Sequence, residues 1–201
     1  MIVETRFEQN TDEWFDAKAG VPSSSHYDEI LTTKCVPSKS ADGYRYKLAG
    51  EYFLGIDHDE FFNRDMKRGI ELQPKAESTF EFKHGVKLDH PAMCYLDERK
   101  DRLCSPDGLM PETGLEIKCP KRKTHIKYLI EGVLPYSYFQ QVHGSMYITG
   151  FKEWWFMSYY PGLPSFELKV KRNEKFISAL ATELDKFIDN LISTIRKIKG
   201  G

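Results

Sequence analysis

The chain has 201 residues, 40% of them hydrophobic and 13% aromatic, which excludes a disordered polymer and leaves enough apolar surface for one packed domain over residues 1–201. A formal net charge of −1 excludes any bulk electrostatic pull toward nucleic acid, so an affinity for DNA has to come from a local patch. No apolar run approaches the ~18 residues that span a membrane, and Met1 to Arg6 lack a signal-peptide pattern, so a cytoplasmic protein with no membrane partner is expected.

In chain order, Thr11 or Asp12 caps a first helix that stops at Gly20, and Ser23-Ser24-Ser25 offers a second cap before His26 to Leu31. Thr33 to Gly43 reads as polar loop. Tyr44 to Leu54 reads as helix, and a longer one runs from Phe61 to Phe82 through Gly69. Ala92 to Leu96 and Arg102 to Cys104 read as strands leading into a turn at Asp107. Thr124 to Glu131 and Tyr136 to Thr149 read as helices separated by Gly132 and Pro135. Trp154 to Tyr160 and Phe166 to Val170 are rich in aromatic and β-branched residues, hence strands, with at least one of Trp154 and Trp155 in the core. Phe176, Leu180, Leu184, Phe187, Leu191, Ile195 and Ile198 recur every three or four positions, the stripe of an amphipathic closing helix that faces the core or a subunit interface. This order predicts an α/β (α+β) fold with a central mixed β-sheet flanked by helices. Cys35, Cys94, Cys104 and Cys119 form no Cys-x-x-Cys pair and read as buried apolar residues, and the six histidines show no ligand spacing.

Chemistry is concentrated in Ser105 to Pro120. Asp107 lies in a Pro-Asp-Gly turn, and nine residues on comes Glu116, in the strand Leu115-Glu116-Ile117-Lys118. Strand side chains alternate between faces, so Glu116 and Lys118 point one way while Leu115 and Ile117 face the core. A hairpin that returns Asp107 beside Glu116 joins two carboxylates and a lysine in one site. Two hard oxygen donors suit Mg²⁺ or Mn²⁺. A neighbouring lysine orients or deprotonates water and balances charge growing on a phosphate, so the pattern points to metal-assisted phosphodiester hydrolysis. Each piece also has an ordinary reading, since Pro-Asp-Gly is a common turn and Glu-Ile-Lys a common solvated strand edge.

Two longer motifs narrow the choice. Cys104-Ser105-Pro106-Asp107-Gly108-Leu109 with Gly114-Leu115-Glu116-Ile117-Lys118-Cys119-Pro120 is followed by Tyr138-Phe139-Gln140-Gln141-Val142 with Ser145-Met146, and then by the aromatic strand through Tyr159-Tyr160-Pro161. In these, and from Asp12-Glu13-Trp14 to the closing helix, the chain resembles the phage lambda-type exonucleases, the YqaJ-like viral recombinase and alkaline-exonuclease branch of the PD-(D/E)xK nuclease superfamily. The resemblance implies a restriction-endonuclease-like core, with Asp107 and Glu116 as metal-binding carboxylates, the backbone carbonyl of Ile117 as a further ligand, and Lys118 on the attacking water. It implies that Gln141 reaches into the site and that Asp97 is a supporting acid. Ser105, Ser25 and Lys18 match a pocket for a terminal 5′ phosphate.

Three positions depart from the family pattern. Gln73 stands where a glutamate is expected four residues after Gly69; its neutral amide can still ligate a metal or hold its water but supplies no charge, which weakens the case for a second metal. Glu71 projects about 200° away from it on a helix and is no direct substitute. Lys18 stands where an arginine is expected and gives up bidentate phosphate recognition. Thr124 stands where a second arginine is expected, with Lys121, Arg122 and Lys123 as neighbouring sources of charge. The family implies an Mg²⁺-dependent 5′-to-3′ exonuclease on double-stranded DNA ends, leaving a 3′ single-stranded overhang for recombination by strand annealing. It further implies a ring-shaped homotrimer and a single-strand annealing partner. An endonuclease of the same superfamily and a catalytically decayed DNA-binding protein are the alternatives.

Overall fold

The computed structural model describes residues 1–56 and 64–200, so the expected helix start at Phe61 lies outside the described residues. The elements are β1 (Ile2–Glu4), α1 (Asp12–Lys18), a 3-10 helix (Ser24–Glu29), α2 (Ala41–Leu54) and α3 (Arg64–His84). Strands β2 (Met93–Tyr95), β3 (Leu103–Cys104), β4 (Gly108–Met110) and β5 (Thr113–Lys118) follow. The chain continues through α4 (Arg122–Glu131), a 3-10 helix (Tyr136–Tyr138), α5 (Phe139–Thr149), β6 (Glu153–Ser158), β7 (Phe166–Lys171) and α6 (Glu174–Ile198).

The expected mixed sheet is β4-β5-β6-β7, antiparallel at both outer pairs and parallel between β5 and β6. A parallel pair needs a long crossover, and α4 and α5 supply it. Alternation along the two inner strands decides where the helices lie. Leu115 and Ile117 of β5, with Met157 of β6, pack against Ala76 and Phe80 of α3. On the other face Trp154 and Phe156 of β6 meet Val142 and Met146 of α5 and Phe176 and Leu180 of α6. Trp154 is therefore core, while Trp155 sits edge-on to Phe80 on the opposite face.

The strands expected near 92–96 and 102–104 form, but not in the mixed sheet. They pair with each other and with β1, a strand the sequence reading did not anticipate, as a separate antiparallel sheet β1-β2-β3. Three residues of Ile-Val-Glu carry too short a pattern to read alone; pairing with Met93, Cys94 and Tyr95 makes them a strand. Helix α1 lays Trp14 and Phe15 over this sheet, and the Trp14 indole N–H donates to the Ala92 carbonyl at 3.0 Å. Thr11 caps α1 as expected, and Gly20 ends the segment at φ +72°, against Tyr52 of α2.

Other boundaries moved for physical reasons. Helix α2 starts at Ala41, three residues before the expected start, while within the expected Ser23-Ser24-Ser25 cap it is Ser23 that precedes the 3-10 helix. The closing stripe is core through Leu191, whereas Ile198 is exposed. Cys94 and Cys104 are buried opposite each other on β2 and β3, while Cys35 and Cys119 are only half-buried. No helix among the described residues is long and apolar enough to cross a membrane.

Gly114 lies opposite Trp154 in the β5–β6 register, and a Cβ there would sit 2.2 Å from the fully buried indole ring. Gly114→Ala is expected to cost about 1–3 kcal/mol in urea unfolding as an overpacked core. Gly50→Ala in α2, where an added Cβ meets nothing within 4 Å, is expected to gain about 0.5–1 kcal/mol from helix propensity.

Candidate active site

The β4–β5 hairpin sets Gly108 opposite Leu115, which puts Asp107 beside Glu116. The Asp107 N–H donates to the Leu115 carbonyl at 3.2 Å, and its carboxylate Oδ2 accepts the Ile117 N–H at 2.5 Å. Glu116 is only 2% exposed. Its Oε1 accepts from the Gln141 side-chain amide of α5 at 2.6 Å and pairs with the Lys118 ammonium at 2.5 Å. The Lys118 ammonium also lies 5.1 Å from the centre of the Tyr138 ring. From the opposite helical layer, Gln73 of α3 donates its amide to Asp107 Oδ1 at 3.2 Å. The structure thus brings Asp107, Glu116, Lys118, Gln141 and Gln73 together.

Their fields act on one another. Burial, then the Glu116 charge, pushes the Asp107 carboxyl up to about 8, against the pull of Lys118 and the Ile117 N–H. Burial alone would lower Lys118, but Glu116 and Asp107 outweigh it and hold its ammonium above the usual lysine range. Burial, then Asp107, pushes the Cys119 thiol up to about 11.

The remaining expected residues divide. Ile117 engages the site through its N–H on Asp107. Ser105 Oγ is buried with no hydrogen-bond partner among the described residues. Lys18 is buried at the end of α1, its ammonium 4.3 Å from the Trp14 ring centre, and burial lowers it to about 8 with Lys47 and Lys118 adding repulsion. Ser25 is exposed, and its hydroxyl meets Ser23 Oγ at 3.2 Å. Lys121, Arg122 and Lys123 are exposed at the start of α4, just past β5. Asp97 is not drawn in: its carboxylate is bound by the Arg99 backbone N–H and guanidinium in the β2–β3 turn. Glu71 is exposed, consistent with its position around the helix.

Two side chains escaped the sequence reading. Glu77 Oε1 accepts from the Gln73 amide at 2.9 Å, and its charge adds to the push on Asp107. Arg68 donates to the Cys119 carbonyl at 2.6 Å, tying α3 to the end of β5. The signal for Glu77 was present, because residues four apart on a helix share a face. Arg68 left no signal, since its role depends on where α3 docks.

Among the described residues no three of His, Cys, Asp and Glu gather as ligands. Two hard carboxylates with neutral amides behind them nonetheless suit Mg²⁺, which keeps several waters and takes one or two carboxylates plus substrate phosphates. A cation between them would offset both the burial and the Glu116 charge that raise Asp107.

A family model described as the YqaJ-like viral recombinase domain matches residues 13–152. The chain is similar to the crystal structure of an alkaline exonuclease, LHK-Exo, from Laribacter hongkongensis, at 27% identity and a TM-score of 0.84, covering 94% of this chain and 96% of that one. LHK-Exo in complex with dAMP gives 28% identity, the same TM-score and the same coverage. A phage-related exonuclease from Haemophilus somnus 129PT, at 15% identity and a TM-score of 0.66 over 87% of this chain and 96% of that one, shares the fold. No curated protein matches.

A carboxyl whose folded pKa is raised holds its proton more tightly when folded, so Asp107 removes stability as pH climbs from about 4 to about 8. A divalent cation competes with that proton. The gain in Tm from millimolar Mg²⁺ is therefore expected to be several degrees larger near pH 8.5 than near pH 6, and absent in Asp107→Ala, measured by scanning fluorimetry.

Proposed function

Because the chain belongs to the YqaJ-like viral recombinase family, we propose that it is a metal-dependent DNA exonuclease that degrades one strand of a duplex from its 5′ end. The reading rests above all on the Asp107, Glu116 and Lys118 constellation of the β4–β5 hairpin. The product would be a 3′ single-stranded tail suited to recombination by strand annealing.

Asp107 and Glu116 are the groups to hold Mg²⁺, with Mn²⁺ as substitute and the Ile117 carbonyl as a further donor. Such an ion, when bound, polarises the scissile phosphate and lowers the pKa of its water. Gln141 keeps Glu116 in place through its amide. Lys118, held protonated by the two acids, orients the attacking water and balances charge growing on the phosphate oxygens. Neither amide cancels the negative charge the ion needs.

A place for the DNA is supported by two features. The first turn of α4 offers backbone N–H groups alongside Lys121, Arg122 and Lys123, directly after the catalytic strand, where a phosphate backbone gains from both. Ser105 Oγ, buried and without a hydrogen-bond partner among the described residues, is a donor suited to a 5′ phosphate, with Lys18 and Ser25 as its companions. A phosphate dianion would also restore the proton affinity that burial takes from Lys18. A ring-shaped homotrimer and a single-strand annealing partner complete the proposal; a ring lets a chain of net charge −1 concentrate its basic residues in a channel.

End-labelled linear duplex is expected to be digested with Mg²⁺ while a circular plasmid survives; cutting of the circle would favour an endonuclease. Asp107→Ala is expected to lose at least ~1000-fold in rate with DNA binding retained, whereas unaffected hydrolysis would remove the hairpin from the chemistry. A 5′-phosphorylated end is expected to be degraded at least ~10-fold faster than a 5′-hydroxyl end, and equal rates would retire Lys18, Ser25 and Ser105 together.

A further inference from the structure

Glu77 is a carboxylate with no part in the proposed reaction, yet it is joined to that site through a single amide. The two N–H groups of Gln73 point to two acids, Glu77 Oε1 at 2.9 Å and Asp107 Oδ1 at 3.2 Å. An amide bound this way has no freedom to turn, because reversing it would set its oxygen against two carboxylates. Gln73 therefore presents nitrogen rather than oxygen to Asp107, an orientation opposite to that of a metal ligand. Glu77 is half-buried, and among the described residues the Gln73 amide is the one hydrogen-bond donor its carboxylate meets. The described cations nearby are engaged elsewhere: Lys118 with Glu116, and Arg68 with the Cys119 carbonyl. An acid left without a cation, tethered next to two further acids, raises local negative potential without neutralising itself.

We propose that Glu77 is the third acid of this centre, a positioning residue that acts through Gln73 and raises the centre's affinity for a divalent cation. The proposal rests on the nuclease reading, since it concerns the cation that Asp107 and Glu116 would hold. Glu77 does two things. It aligns the Gln73 amide, which in turn fixes the Asp107 carboxylate from the α3 side while Ile117 fixes it from the sheet. It also contributes a negative charge where Gln73 contributes none. Because Gln73 and Glu77 are one helical turn apart on the same face, a carboxylate at either position lies on the side of α3 that meets the hairpin.

The experiment is titration of the metal-free protein with Mn²⁺, without DNA, followed by calorimetry and by the electron paramagnetic resonance of free Mn²⁺. Glu77→Gln preserves shape and removes the charge, and it is expected to weaken binding by about 10- to 100-fold, the cost typical of losing a group that supports metal ligands. The exchanged variant Gln73→Glu/Glu77→Gln returns a carboxylate to the same face and is expected to recover most of that loss. An unchanged dissociation constant in Glu77→Gln, or a loss that the exchange does not recover, overturns the proposal. Asp107→Ala separates the two readings: if it too binds Mn²⁺ as the parent does, the metal centre itself has failed, whereas loss in Asp107→Ala with no change in Glu77→Gln refutes the role of Glu77 alone.

Discussion

Asp107 donates its N–H to Leu115 and accepts that of Ile117, and these two hydrogen bonds hold the β4–β5 register on which the site depends. Side chains alternate with a period of two, so a slip of one residue would turn Glu116 and Lys118 into the layer under α3 and put Leu115 and Ile117 on the face that α5 covers. That slip is opposed from both faces. Leu115 and Ile117 are packed against Ala76 and Phe80, and Gly114 leaves the space that Trp154 fills. The hydrophobic core thus fixes the orientation of the charged residues, and the hydrogen bonds at Asp107 fix their separation.

Keeping two acids together in a half-dry setting opposes folding, and the chain offsets this in a specific manner. One cation, Lys118, pairs with Glu116 directly. Neutral donors do the rest: the Gln141 amide from α5 on Glu116, and the Gln73 amide from α3 with the Ile117 N–H on Asp107. Amide donors stabilise an ionised carboxylate without neutralising it, so negative potential survives for a cation to meet. Because α3 and α5 lie on opposite faces of the sheet, the hairpin is clamped from both sides. The buried Arg102 contributes similarly at a distance: it joins Asp101 to Asp185 of α6 and to the Tyr147 hydroxyl of α5, anchoring the strand that leads into Ser105.

The parts legible in the sequence were those whose signal is local. The face shared by Glu116 and Lys118 follows from strand alternation, and the core stripe of α6 follows from its three-to-four spacing. Family likeness placed Gln141, whose own surroundings carry no hint of Glu116. Asp97, which the likeness implies as a supporting acid, has its carboxylate bound by Arg99 two residues on. At Gln73 the family pattern covers a single position, whereas the carboxylate that partners it, Glu77, stands one helical turn further on.

By itself the sequence determined the strand pattern of the hairpin, the helices with strong caps or stripes, and the chemical class of a site made of two acids and a lysine, because each rests on neighbours a few residues apart. Tertiary structure alone decided that β1 would pair with β2, that the mixed sheet would take β4 to β7 only, and that α3 would bring Glu77 and Arg68 to the hairpin beside Gln73. Those outcomes join residues tens of positions apart, and such contacts are selected by packing of whole faces, for which no short stretch of chain holds the information.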